Sequence, residues 1–243
     1  MLASLVLLAI AAVRRCWLPP PGERAIAALT GLFMVGGYSG FYFLALDRGM
    51  APGTLATILG VQPILTMMLV ERRFQLMRLA GLVFVSIGLA LIVSRGTDNL
   101  PVSNGGFLLA FAALAALTIG TLLQKHIRSA PADVLPLQTA VGLGAIAVML
   151  PFQPVAFEIT TASVTALLWL GIMGSVATTL LFYRLMQRGN LVNVTSLFYL
   201  VPIVTMMLDA LWPGNRPAPF ALLGMAAIIA GLMLVFRTSS TGR

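Results

Sequence analysis

The sequence predicts an all-α, polytopic membrane protein of about nine transmembrane helices in two inverted-topology repeats. Three observations carry this. Of 243 residues, 59% are apolar and only 9% charged, where an ordinary soluble domain has roughly a quarter charged. Apolar runs of about 20 residues, the length that crosses a hydrocarbon core as helix, recur along nearly the whole chain. The stretch VQPILTMMLVERR (61–73) returns as VPIVTMMLDALW (201–212), so that P-I-[LV]-T-M-M-L is spelled from Pro63 and again from Pro202.

Turn and charge punctuation divides the chain in order. The first segment, 1–13, is short for a crossing even with tilt. Its positive charges follow the apolar run and no A-x-A site is evident, which argues against a signal peptide. The segment 26–46 places Tyr38 and Tyr42 one turn apart and carries Gly36 and Gly40 at GxxxG spacing, which permits close helix packing. The segment 54–70 holds Pro63, with Gln62 and Thr66 on one stripe, and 79–94 carries Gly81 and Gly88.

After the polar connector SRGTDNLPVSNGG, the segment 105–123 places Thr118 and Thr121 above Lys125 and His126. Length and composition alone identify 134–152, and 163–183 sets Ser175, Thr178 and Thr179 on one face. On 191–211, at 100° per residue, Thr195, Tyr199, Pro202 and Asp209 fall within an arc of about 80°. Gly224 and Gly231 in the last segment, 219–236, repeat the spacing of Gly81 and Gly88.

If connectors alternate sides, one side receives 12 of the 15 Lys and Arg residues and the other only Arg48, Arg95 and Arg216. Positive residues stay cytoplasmic, so the C-terminus is inside and nine crossings place Met1 outside. The expected location is a plasma or bacterial inner membrane.

The echo extends beyond the heptapeptide: FYFLALDRGM (41–50) answers LFYRLMQRGN (181–190). The offset is 140 residues at Arg48/Arg188, 139 at Pro63/Pro202 and 143 at Gly81/Gly224. By the charge count the Pro63 segment runs inward and the Pro202 segment outward, so the copies are inverted. The expected domains are 1–96 and 103–240. Inverted repeats are a recurring construction of secondary transporters, which rock one repeat against the other around a midplane site. Proline inside a helix removes one backbone hydrogen bond and frees carbonyls, tolerated only against protein or a water-filled cavity.

Several classes are excluded or disfavoured. One cysteine, Cys16, allows no intramolecular disulfide, and with His126 the only histidine there is no Cys/His set for a metal. The net charge of +8 is scattered singly and forms no basic run, so no nucleic-acid partner is expected. No G-x-x-x-x-G-K-[ST] is present, so transport must be downhill or coupled to an ion gradient. A membrane-embedded lipid-modifying enzyme would need a carboxylate or His cluster at one interface, whereas Glu71 and Asp209 are expected on opposite faces. The chain is read as no enzyme and as needing no cofactor.

The pattern YFLALDRGMAPGTLATILGVQPILTMMLVERR followed by LAGLVFVSIGLALI, its second copy from Leu181 to Phe236, and ALTIGTLLQKH at 116–126 resemble the EamA branch of the drug/metabolite transporter superfamily. The resemblance covers almost the whole chain. It implies two inverted five-helix repeats, both termini inside, and movement of small metabolites. Nine helices are read here, and matching the copies leaves out the first helix of the first repeat, the partner of 105–123. The sequence alone leaves a truncated reading frame and a natural loss both open; on a third reading a second protomer or a small helper membrane chain supplies the helix, and the remaining alternative is a non-transporting truncated subunit.

The resemblance also implies which helices line the cavity. On them, Tyr38, Tyr42, Gln62, Thr66, Thr118, Thr178 and Tyr199 are the expected substrate contacts, forming a largely apolar pocket with a few hydroxyls, one amide and aromatic walls. Such a pocket suits a small metabolite or drug-like molecule, and export is the expected direction. Serine and threonine on membrane helices also bond neighbouring helices or their own carbonyls. For ion coupling the candidates are Glu71, which matches the family's acidic position, and Asp209, which stands one residue earlier than its counterpart Ala210. A carboxylate in mid-membrane is costly and often functional. Asp209 lies about a turn from the outer end, where a solvated interfacial role competes, and Glu71 sits beside Arg72 and Arg73.

Overall fold

A computed structural model describes residues 18–70, 76–93, 104–149, 160–169, 178–201, 203–204, 207 and 219–240. Every regular element among them is helical: α1 (Pro21–Asp47), α2 (Pro52–Leu59), α3 (Gln62–Val70), α4 (Leu76–Val93), α5 (Asn104–His126), α6 (Pro131–Met149), α7 (Thr161–Trp169), α8 (Thr178–Arg188), α9 (Leu191–Ser196) and α10 (Pro219–Ser240). Four stretches in this part are long and apolar enough to cross a membrane: Pro21–Asp47, Pro52–Val70, Gly105–His126 and Pro131–Val148. Large apolar side chains stand exposed along the helices, Leu76, Phe84, Leu108, Leu223 and Met233 among them, as on a surface solvated by lipid. The protein is an all-α multi-pass membrane protein. The segment expected at 1–13 lies outside the described residues.

Two compact units emerge, and each draws on both halves of the sequence. One contains residues 1–41 and 115–189, the other 42–114 and 190–243.

In the first unit, α1 changes pitch partway along. Residues Arg24–Thr30 are α-helical, Gly31–Gly37 form a π-helical stretch, and Tyr38 resumes the α-helix. The glycines explain why the neighbours come so close. A Cβ on Gly31 would lie 2.3 Å from the Gln138 carbonyl oxygen, one on Gly36 would lie 2.7 Å from the Ala145 side chain, and one on Gly120 would lie 2.6 Å from Met34. Small residues thus let α6 and α5 lie backbone to backbone against α1. The polar connector after α5 is held from two sides. Glu23 accepts from the Arg128 and Ser129 amides (3.0 and 3.2 Å), and Gln187 donates to the carbonyls of Ile127 (3.2 Å) and Ser129 (2.6 Å). Lys125 in turn caps the last carbonyls of α8, bonding Met186 (2.7 Å) and Gly189 (2.6 Å), the favourable place for a cation at a helix C-terminus.

The second unit is organised by one antiparallel crossing, α4 on α10. A Cβ on Gly81 would lie 2.8 Å from the Gly231 oxygen and one on Gly231 would lie 2.5 Å from the Gly81 oxygen; Gly88 and Gly224 approach each other in the same way, at 2.6 and 2.7 Å. Because Gly81 is the counterpart of Gly224, and Gly88 of Gly231, each contact maps onto the other when the copies are exchanged. This reciprocity is the signature of a twofold axis between two equivalent helices. The core around the crossing contains Leu82, Val85, Leu89, Ile228, Leu232 and Val235, joined by Met67, Val192, Tyr199 and Ile203 from α3, α9 and the residues after α9. A second cluster, Ala45, Met50, Leu55 and Ala110, seats the end of α1. That end is a Schellman turn: Gly49 has φ +84°, its amide bonds the Leu46 carbonyl, and the Met50 amide bonds the Ala45 carbonyl. Glycine adopts the left-handed conformation there without the steric cost a Cβ imposes.

Candidate functional site

The two copies of the proline helix meet in the second unit, and both are broken. In the first copy the α-helix stops at Leu59 and restarts at Gln62. Pro63 has no amide hydrogen to give the Leu59 carbonyl, and its ring crowds that carbonyl, so the chain opens one turn before it. The amides show the rearrangement. Gly60 still bonds Ala56 (2.8 Å), Val61 turns to Ile58 (3.1 Å), and Ile64, which in a regular helix would serve the Gly60 carbonyl, bonds Val61 instead (3.0 Å). In the second copy, α9 ends at Ser196 and a 3₁₀ turn runs Leu197–Tyr199. With the 139-residue offset of the prolines these residues correspond to 58–60, so the break falls at the same place.

The freed carbonyl of Gly60 accepts a hydrogen bond from the Tyr199 hydroxyl. Tyr199 is the counterpart of Gly60 itself, three residues before its own proline. Its hydroxyl also lies 3.4 Å from Ser86 Oγ on α4, and the side chain is 2% exposed. Nearby on α3, Gln62 and Thr66 are buried one turn apart, and Thr66 Oγ1 has no hydrogen-bond partner. Since hydroxyls on helices commonly bond the carbonyl four residues back, a buried hydroxyl without a partner is a donor and acceptor available to another polar group.

A second polar group lies where α4 and α9 start. Arg78 is buried at 3% exposure and its Nη2 donates to Asn190 Oδ1 (3.1 Å) and to Asn193 Oδ1. Asn190 Oδ1 also accepts the amides of Val192 (2.9 Å) and Asn193 (3.4 Å), so one oxygen caps α9 and ties it to α4.

Of the residues expected at the site, Pro63, Gln62, Thr66 and Tyr199 come together here, and Tyr42 belongs to the same unit, packed on the Ala45–Leu55 cluster. Tyr38, Thr118 and Thr178 belong to the other unit: Tyr38 is half-buried, Thr118 is buried with its carbonyl accepting from Thr121 Oγ1 (2.8 Å), and Thr178 is exposed. Glu71, Pro202 and Asp209 lie outside the described residues. No group of three metal-ligating side chains occurs among the described residues.

Sequence reasoning missed three features. The Arg78–Asn190–Asn193 cluster was signalled only by Asn190 ahead of an apolar run, a helix-start pattern. The Lys125 cap was hidden because Lys125 reads as a topology charge. The third is a buried pair in the first unit, Gln138 Nε2 donating to Gln124 Oε1 at 2.7 Å, with Gln124 Nε2 and Gln138 Oε1 left without partners. Single glutamines on two helices carry no signal that they meet.

Comparisons with known proteins agree with this architecture. A solved crystal structure superposes with a TM-score of 0.80 at 19% identity, covering 98% of this chain and 84% of that one, which shows the fold. A protein of Salmonella typhimurium described as a probable amino-acid metabolite efflux pump is 27% identical over 234 residues, 88% of this chain and 78% of the relative. A protein of Escherichia coli with the same description is 25% identical over 211 residues, 80% of this chain and 70% of the relative. Residues 104–237 match the model of the EamA-like transporter family. That match spans more than half of the 243 residues, and the chain therefore belongs to the EamA-like transporter family, as a membrane transporter and not an enzyme.

Proposed function

We propose that the protein is a secondary exporter of small amino-acid-type metabolites, working by alternating access between its two inverted copies. The observation that supports this most is the pair of symmetry-related broken helices, Pro52–Val70 and the stretch from Leu191, lying beside a reciprocal glycine crossing. Broken helices expose backbone groups where a substrate can use them, and two related copies can exchange conformations. The names of the curated relatives supply the substrate class and the outward direction.

In this reading Tyr38, Tyr42, Gln62, Thr66, Thr118, Thr178 and Tyr199 are the substrate contacts. Asp209 or Glu71 couples the ion, and the C-terminus is cytoplasmic in a plasma or bacterial inner membrane. Counterflow in proteoliposomes tests it: vesicles holding the purified chain and an unlabelled amino-acid mixture should accumulate radiolabelled amino acids faster than protein-free vesicles. Absence of trans-stimulated uptake for every amino acid, with the protein folded, contradicts it. An Asp209→Asn variant that keeps full pH dependence of uptake removes that residue from coupling.

A further inference from the structure

From the geometry at the break we infer that Tyr199 is a one-sided latch: it sets which of the two exchanged conformations the protein occupies at rest. The inference rests on the alternating-access reading above and adds a positioning residue to it.

Two copies related by a true twofold would leave the two conformations equal in energy, because each is the other with the copies renamed. Any preference must come from positions at which the copies differ. Most positions around the crossing do not differ in character. Gly81 and Gly88 face Gly224 and Gly231, and the core residues Leu89 and Leu232 are counterparts of each other. The position three residues before the proline differs as much as two residues can: glycine in the first copy, tyrosine in the second.

The present conformation satisfies that difference in three ways. Tyr199 fills buried space in the core around α4 and α10. Its hydroxyl takes up the Gly60 carbonyl that the Pro63 break set free. Ser86 stands beside that hydroxyl, whereas its counterpart Ile229 could offer no hydrogen bond. In the exchanged conformation position 199 would take the surroundings Gly60 has now. There a Cβ alone would lie 2.5 Å from Leu89 Cδ2 and 3.1 Å from the Thr57 oxygen. Leu232 would occupy the place of Leu89, so a tyrosine could enter only if Leu232 repacked. Gly60 meanwhile would stand where the tyrosine ring stands now, leaving its volume empty or wet. Overcrowding at one copy, a void at the other and a lost hydrogen bond all disfavour the same state.

Amide hydrogen exchange of the membrane-embedded full chain, read on peptides covering 52–70 and 191–209, tests this without needing a substrate. The two copies should be unequally protected in the unaltered protein. Tyr199→Phe, which loses only the hydroxyl, should move them in opposite directions by roughly fivefold in exchange rate. Tyr199→Gly, which makes the copies alike at this position, should bring them close together. The paired change Gly60→Tyr with Tyr199→Gly should reverse the order; should it not fold, the two single variants still decide. A tyrosine that merely fills space would speed exchange in both copies alike, and that result, or variants that leave the ratio unchanged, overturns the latch. If counterflow fails while the ratio shifts as expected, the transport reading is at fault and the latch is not.

Discussion

The two broken helices share a sequence and differ in their fastenings. The first copy starts at Pro52 after Ala51, whose side chain caps nothing, and bends at Gly60, which has no side chain to give. The second starts at Asn190, which caps two amides and holds Arg78, and bends at Tyr199, which reaches back to the first copy. Both polar anchors belong to one copy. A pseudosymmetric frame supplies two interchangeable hinges, and what makes them unequal is a handful of polar side chains on one of them.

The largest effect is expected where the copies are equal. Gly88→Leu forces a branched side chain into a gap where even a Cβ would lie 2.6 Å from the Gly224 oxygen. It should destabilise the protein by about 3 kcal/mol or more, at or above the overpacking range, seen as loss of folded protein in detergent. Gly224→Leu should cost a similar amount, and a marked inequality would break the twofold description. Asn190→Ala removes a cap and leaves buried Arg78 with one acceptor fewer, for about 1 to 3 kcal/mol by thermal unfolding. The complementary Ala51→Asn change should give the first copy the cap it lacks, a gain of about 0.5 to 1 kcal/mol. If it gains nothing, the fastening of α9 depends on Arg78 and not on the cap. A gain is also expected of Thr66→Val, which replaces an orphaned hydroxyl by a methyl of the same shape and should raise stability by about 1 kcal/mol. A clear fall in counterflow with stability intact would then assign that hydroxyl to the substrate.

How legible this was in the sequence varied with range. The helices, their membrane character and the repeat followed from apolar run length and from Pro63 and Pro202, since these are local patterns with few physical alternatives. The glycine pairs were expected to pack closely, and they do, though only the folded chain shows that Gly81 meets Gly231 and so reveals the axis. The π-helical turn at Gly31–Gly37 was not foreseen, because its glycines signal close packing but not a change of pitch. Helical spacing puts Tyr199 on a polar stripe, but the destination of its hydroxyl depends on a carbonyl 139 residues away. Pairings of that length are invisible to periodicity.

The central claim is that the two broken helices exchange environments during transport, and their paired positions Gln62 and Val201 report on it directly. Gln62 is now 2% exposed and Val201 58% exposed. Cysteines placed at each in turn, in a Cys16→Ser background, would be labelled with a membrane-impermeant maleimide before and after addition of a transported amino acid. The exchange account predicts that the substrate changes the two labelling rates in opposite directions, and rates that move together or not at all would contradict it.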